Sequence, residues 1–142
     1  MMRWVTHLGG ARVTIGLGLV LMAAGAVRLG LAALIANLAS HLAVQVLKRT
    51  VRRPRPCDAN GRALALVDLP DPFSFPSGHA AASTAVLGTI CMHEPLLAPV
   101  LLPIAAVVGA SRVLLRVHYV GDVLAGALLG LAGAISTAVL VL

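Results

Sequence analysis

Residues 119–142 read YVGDVLAGALLGLAGAISTAVLVL. This stretch decides the fold class, because it is apolar apart from one charged residue, Asp122. About 20 predominantly apolar residues make a helix long enough to cross the hydrocarbon core of a bilayer. Small residues follow Asp122 at steps of four: Gly126, Gly130, Ala134 and Ala138. A stripe of small residues lets another helix press close. We therefore predict a membrane helix that packs tightly against a neighbour.

Four further apolar stretches precede this one, at residues 13–27, 29–47, 78–92 and 96–115. Two of them, 13–27 and 78–92, are shorter than a comfortable span. Together the five stretches predict an all-α, polytopic membrane helix bundle of about five transmembrane helices in one domain, residues 1–142. Residues 12–26 also have the pattern of a secretory signal peptide, but the spacing favours a helical hairpin that turns at Arg28.

Composition and charge limit the partners of the chain. Hydrophobic residues make up 59% of the sequence and charged residues 11%, far below the roughly 25% charged of soluble domains. The net charge is +6, and six basic residues lie between Lys48 and Arg62. Because apolar segments flank this basic cluster, it indicates phosphate groups at a membrane surface rather than nucleic acid. Membrane lipids and a lipid phosphate are the expected partners.

Polar and basic residues gather at one end of the predicted bundle. If the helices alternate in direction, the second ends at Lys48, the third begins at Gly78 and the fourth ends near Arg112, all at one membrane face. The four aromatic residues map to the same face, which suits side chains that prefer the headgroup layer: Trp4, Phe73, Phe75 and Tyr119. We expect the long segment 49–75 to form a lid or binding loop.

A histidine and a carboxylate stand four residues apart at this face. On a helix His118 and Asp122 would be neighbours one turn apart, so that Asp122 could accept a hydrogen bond from one imidazole nitrogen. The other nitrogen would then be free to attack phosphorus, with the carboxylate fixing the tautomer and stabilising the imidazolium that forms.

A helix start with the sequence Pro76-Ser77-Gly78-His79 favours an anion. Free backbone N–H groups and the positive end of the helix dipole lie there. Ser77 is a suitable cap and phosphate donor, Gly78 allows close approach of the backbone to the ligand, and His79 is placed to protonate a departing alcohol.

Three cations complete the predicted phosphate site: Lys48, Arg55 and Arg112. They match a phosphoryl group whose transition state spreads charge over three oxygens. We expect Arg49, Arg52 and Arg53 to contact headgroups, with no catalytic role. No metal ligand set and no cofactor are predicted, because the sequence has no cluster of carboxylates or Cys/His pairs with metal-ligand spacing.

In sequence order these residues form three motifs: Lys48 with Arg55-Pro56, then Pro76–His79, then Ser111-Arg112 with His118 and Asp122. In order and internal spacing they resemble the signature motifs of the type 2 phosphatidic acid phosphatase superfamily, over residues 48–122. The resemblance implies that His118 forms a phosphohistidine, that His79 first donates and then accepts a proton, and that vanadate blocks the site without any need for metal. Six helices are usual among bacterial members of this superfamily, whereas we expect five here, without one near the N-terminus.

The leading interpretation is hydrolysis of a lipid phosphate or diphosphate that is phosphatidate-, phosphatidylglycerophosphate- or polyprenyl-like. A non-catalytic lipid-binding or scaffold protein is the alternative from another class, although such a protein would not need His79, His118 and Asp122. A vanadate-dependent haloperoxidase would use the same residues, but those relatives are soluble and much larger.

The expected location is the cell membrane, crossed several times, and the side that carries the site stays open. With five helices, the catalytic face and the N-terminus share a side that holds ten of the eleven Lys and Arg, and the positive-inside rule places that side in the cytoplasm. The family resemblance argues for an extracytoplasmic site.

Overall fold

A computed structural model describes residues 2–67, 69 and 71–141 of the chain. A short helix α1 (Met2–Val5) and a 3₁₀ turn (Thr6–Gly9) come first. Five longer helices follow: α2 (Ala11–Ala23), α3 (Val27–Val51), α4 (Gly78–His93), α5 (Ala98–Leu114) and α6 (Val120–Val141). Within the described residues, β-pairing is limited to two isolated bridges. The predicted all-α bundle with about five long helices is confirmed, and Leu142, at the end of the predicted last helix, lies outside the described residues.

Within the part of the chain that the structure describes, three helical segments are long and apolar enough to cross a membrane: Val27–Val51, Pro95–Leu114 and Val120–Val141. Many of their large apolar side chains face outward, with Leu42, Val100 and Leu128 each more than half exposed. Apolar surface on this scale suits hydrocarbon rather than water.

Helix α4 is the centre of the bundle, in contact with α2, α3, α5 and α6. Its 16 residues are too few for a comfortable span. However, neighbouring helices surround it, and Ala85, Val86 and Thr89 are fully buried. Its short length therefore fits its position inside the protein.

The turn between α2 and α3 lies at residues 24–26, so the predicted turn at Arg28 was wrong. Arg28 is the second residue of α3. Gly25 has a φ of +92°, a conformation that glycine adopts without a steric penalty. The N–H of Gly25 donates to Met22 O (3.1 Å) and that of Ala26 to Leu21 O (2.9 Å). The flexible glycine, not the charged side chain, determines where the chain reverses.

The predicted small-residue stripe on α6 is the surface against which α4 packs. Gly126 lies against the backbone oxygen of Ser77, and Gly130 lies against the backbone of Ala81 and Ala85, so close that a Cβ at either glycine would overlap those atoms. The contact therefore requires glycine at these two positions, and it brings the start of α4 next to the start of α6.

We expect Gly130→Ala to lower the free energy of unfolding in detergent by about 1–3 kcal/mol, as in other overpacked cores. The melting temperature should fall accordingly. The new methyl group would meet Ala81 O and Ala85 N, which are backbone atoms that cannot turn aside. Gly16→Ala is the matched control, because Gly16 lies inside α2 with no atom near its Cβ position. Equal melting temperatures for the two variants would contradict this account of the α4–α6 contact.

Candidate active site

The ends of four helices and the loop between α3 and α4 meet at one end of the bundle. The N–H of Ser77, before α4, donates to the backbone oxygen of Asp122 in α6 (2.9 Å), and the N–H of His118 donates to Arg112 O at the end of α5 (3.3 Å). Arg55 Nη1 donates to Val117 O at 2.9 Å. These bonds hold together three segments that are far apart in the sequence.

A cavity of about 710 Å³ opens at this end. It is lined by six of the eight residues that the sequence nominates for the site: Lys48, Arg55, Gly78, His79, Arg112 and His118. The other two, Ser77 and Asp122, have no exposed surface and lie behind the cavity wall. Ser77 caps α4 as predicted, since its hydroxyl oxygen accepts from Ala80 N at 3.4 Å.

His118 and Asp122 are neighbours, but not through a shared helix turn as predicted. His118 lies in the turn before α6, which begins at Val120. Its Nδ1 is 3.7 Å from Asp122 Oδ2, which is beyond a hydrogen bond. The Asp122 carboxylate instead accepts from Tyr119 N–H (2.8 Å) and from Arg53 Nη1 (3.1 Å). Nδ1 therefore faces the carboxylate, and Nε2 is the ring nitrogen left for other contacts.

Burial, together with the nearby cations Arg55, Arg112 and Lys48, lowers the pKa of His118 to about 3. The side chain is 3% exposed, so the imidazolium would lose most of its hydration. At neutral pH the imidazole is uncharged and carries a lone pair on one nitrogen.

Within the described residues, the side chain of Arg112 makes one hydrogen bond, to Thr6. The residue is 5% exposed, and its Nη1 donates to the hydroxyl of Thr6 at 2.6 Å. In the described part of the chain, Arg112 Nε is buried and has no hydrogen-bond partner. A buried donor without a partner is costly, and this one lies at a cavity wall.

Lys48 and Arg55 share Asp71, an acid in the loop for which no role was predicted. Lys48 Nζ lies 2.9 Å from both carboxylate oxygens and also donates to Phe73 O. Arg55 Nη2 donates to Asp71 Oδ1 at 3.2 Å. Burial alone would raise the pKa of Asp71, but the bond from Lys48 and the charge of Arg55 hold it below its ordinary value. The loop is therefore tied to the two cations.

Three contributing residues were missed from the sequence: Thr6, Asp71 and Arg53. Thr6 and Asp71 belong to none of the motifs, and only the folded chain brings them to Arg112 and Lys48. Arg53 was expected to contact headgroups without a catalytic role, and its contact with Asp122 was not predicted. Its guanidinium pairs with Asp122 and lies 4.4 Å from the centre of the Tyr119 ring. The repeat Arg53-Pro54-Arg55-Pro56 was the available signal.

A family model described as the PAP2 superfamily matches residues 25–142. The chain belongs to the PAP2 superfamily. This confirms the resemblance drawn from the three motifs.

Two of the relatives that this chain resembles are named phosphatases. The decaprenylphosphoryl-5-phosphoribose phosphatase of Mycobacterium tuberculosis is 42% identical over 94 residues, which are 64% of this chain and 49% of the relative. Phosphatidylglycerophosphatase B of Bacillus subtilis is 33% identical over an alignment of 147 positions, which covers 92% of this chain and 69% of the relative. The chain thus spans about half the length of the first relative.

A solved structure has the same fold: a transmembrane PAP2-type phosphatidylglycerolphosphate phosphatase from Bacillus subtilis. The TM-score is 0.78 at 33% sequence identity, over 96% of this chain and 72% of that one. With the three span-length helices described above, this likeness makes the chain a multi-pass membrane protein.

We expect Arg53→Ala to lower kcat/KM about tenfold, the effect of losing a charge-assisted hydrogen bond on a buried carboxylate. Arg53 is 44% exposed, so screening by solvent limits the loss. Arg52→Ala is the matched control, because Arg52 is exposed and its side chain donates to Arg49 O. Equal kcat/KM for the two variants would show that the Arg53–Asp122 pair does not matter for turnover.

Proposed function

We propose that the protein is a phosphatase that removes a phosphate group from a membrane lipid phosphate or diphosphate. The observation that carries the proposal is the cavity, in which Arg112, His79 and His118 line one end and apolar side chains such as Ile15, Leu34 and Leu38 line the other. A phosphate with an apolar tail matches both ends. The names of the relatives make phosphatidylglycerophosphate-like and polyprenyl-phosphoribose-like lipids the first substrates to test.

In the first step, His118 Nε2 attacks phosphorus while the bond from phosphorus to the ester oxygen breaks. The neutral imidazole, with its pKa near 3 in the substrate-free enzyme, offers the lone pair that the attack requires. The Nδ1 side of the ring faces Asp122 across 3.7 Å, so a small movement of the carboxylate stabilises the imidazolium as it forms. The product is a phosphohistidine.

His79 is the proposed acid in that step and the base in the next. It is the second residue of α4 and lines the same cavity as His118. The bound phosphate dianion favours the protonated ring of His79, and a proton then moves from this imidazolium to the departing alkoxide. His79 then takes a proton from water, the water oxygen attacks phosphorus, the nitrogen–phosphorus bond breaks and inorganic phosphate leaves.

Three cations stabilise the transferring group, and no metal is invoked. Arg112 lines the cavity, and its buried Nε–H has no hydrogen-bond partner among the described residues, so a phosphoryl oxygen would satisfy that donor. Lys48 and Arg55 supply charge at a fixed position because Asp71 and backbone oxygens already bind them. The backbone N–H groups at the start of α4, next to Gly78, provide neutral donors for the same oxygens.

The test is phosphate release by the purified protein in detergent from a panel of lipid phosphates, with and without chelator or vanadate. We expect turnover to persist in chelator and to stop with vanadate, which takes the shape of the transferring group. His118→Ala should abolish turnover. His93→Ala should not, because His93 is exposed at the other end of α4 and pairs with Glu94. Loss of activity in chelator with rescue by magnesium, or near-normal activity of His118→Ala, would overturn the mechanism.

A second prediction separates His79 from His118 by the leaving group. A lipid alkoxide needs a proton in or near the transition state, a contribution of about 10²- to 10⁴-fold, whereas p-nitrophenolate departs with little help. We expect His79→Ala to slow phosphoenzyme formation strongly with a lipid monophosphate and much less with p-nitrophenyl phosphate. With the activated ester, the variant should accumulate an acid-labile label on His118, because its water is no longer activated.

Rapid quench with labelled substrates measures both effects. Equal losses on the two substrates, with no trapped phosphohistidine, would show that His79 binds phosphate without carrying protons.

A further inference from the structure

The cavity continues beyond the proposed catalytic end, along α3. Past Lys48 its wall carries Gln45 and His41, and farther from the catalytic end Leu38 and Leu34 replace these polar side chains. With a rise of about 1.5 Å per residue, Gln45 lies about 4.5 Å and His41 about 10.5 Å below Lys48 along the helix axis. A short polar patch therefore separates the phosphate end from the apolar end.

A fourth polar residue on this side of α3, Asn37, has a structural task. Asn37 Nδ2 donates to the hydroxyl of Thr14 at 3.2 Å, and both residues are buried. This bond ties α2 to α3. The hydrogen bond of Gln45 and His41 runs between their own side chains at 3.4 Å, and in the described residues neither side chain hydrogen-bonds to another helix. Helix packing accounts for Asn37 but not for this pair.

Polar side chains on a membrane-spanning helix are costly unless they serve a ligand, a pathway or a partner helix. Gln45 and His41 line the cavity that we propose binds the substrate. A carboxamide and an imidazole each offer donors and acceptors, which matches a hydroxyl group, since a hydroxyl also donates and accepts. The patch carries no fixed charge of its own, so it does not resemble a second phosphate site.

We propose that Gln45 and His41 bind the hydroxyl groups of a polyol spacer, glycerol- or pentose-like, that joins the scissile phosphate to the lipid anchor. With the phosphate at Arg112 and His118, the atoms just beyond the ester oxygen lie beside this patch, and the apolar part of the lipid follows at Leu38 and Leu34. This inference rests on the proposed function and narrows its substrate class. Lipids with a hydroxylated spacer are preferred over those without one.

The test compares two substrates that differ by one hydroxyl group. One is phosphatidylglycerophosphate, and the other is its analogue with 1,3-propanediol in place of the glycerol spacer, so that the anchor, the diester charge and the scissile phosphate are the same. We expect the wild-type protein to prefer the glycerol compound by about fivefold in kcat/KM, the size of one hydrogen bond. Gln45→Leu or His41→Leu should bring the ratio close to one and leave kcat/KM for the propanediol compound within about twofold.

Leu42→Val is the matched control, because Leu42 lies on the same helix, is exposed and is not among the residues that line the cavity. It should keep the wild-type ratio. An equal rate on both substrates in the wild-type protein would overturn the inference, as would a preference that survives in both variants. Equal losses on the two substrates would also overturn it, because they would indicate a water path or a helix-positioning role.

Hydrolysis of the propanediol compound by the wild-type protein supports the proposed function whatever the ratio is. If the wild-type protein hydrolyses neither compound, the proposed function fails for this substrate class, and this inference fails with it.

Discussion

The contact between α4 and α6 is the constraint on which the site depends. Gly126 and Gly130 allow the backbones of the two helices to meet, and at the end of that contact Ser77 N–H bonds to the backbone oxygen of Asp122. Van der Waals contact and interhelical hydrogen bonds are what associates helices in lipid, where burial of apolar surface gives no net drive. The same contact therefore stabilises the bundle and brings the second and third motifs together.

Ion pairs attach the loop between α3 and α4 to the ends of the helices. Asp71 reaches Lys48 and Arg55 at once, and Arg53 reaches Asp122. Three basic side chains of the first motif region are thus fixed by two carboxylates and several backbone oxygens. Fixed cations stabilise a transition state without the reorganisation that mobile ones would need. The loop is better described as a wall of the site, held by these bonds, than as a free lid.

The sequence predicted the parts of the structure that periodicity and spacing control. The apolar stretches predicted the long helices, the small-residue stripe predicted that the last helix packs closely against a neighbour, and the N-cap at Ser77 is where the motif placed it. The sequence did not predict contacts between residues that are far apart in the chain and share no motif. Thr6 meets Arg112 across 106 positions, and no local pattern encodes that distance. The helical relation assumed for His118 and Asp122 failed because α6 starts two residues after His118, although the two side chains still lie close together.

The electrostatics of His118 explain why so many charges surround one ring. In the substrate-free enzyme, burial and nearby cations hold the pKa of this imidazole near 3, so the site opposes the imidazolium that phosphoryl transfer would create. In the mechanism that we propose, an arriving phosphate dianion reverses the local balance, because it neutralises the cations that had disfavoured a charged ring. Asp122 then supplies the remaining negative charge on the Nδ1 side. Arg53 and Tyr119 N–H already occupy both oxygens of the Asp122 carboxylate, so it is oriented but partly neutralised. It therefore favours the charged ring most strongly once the phosphoryl group is being transferred.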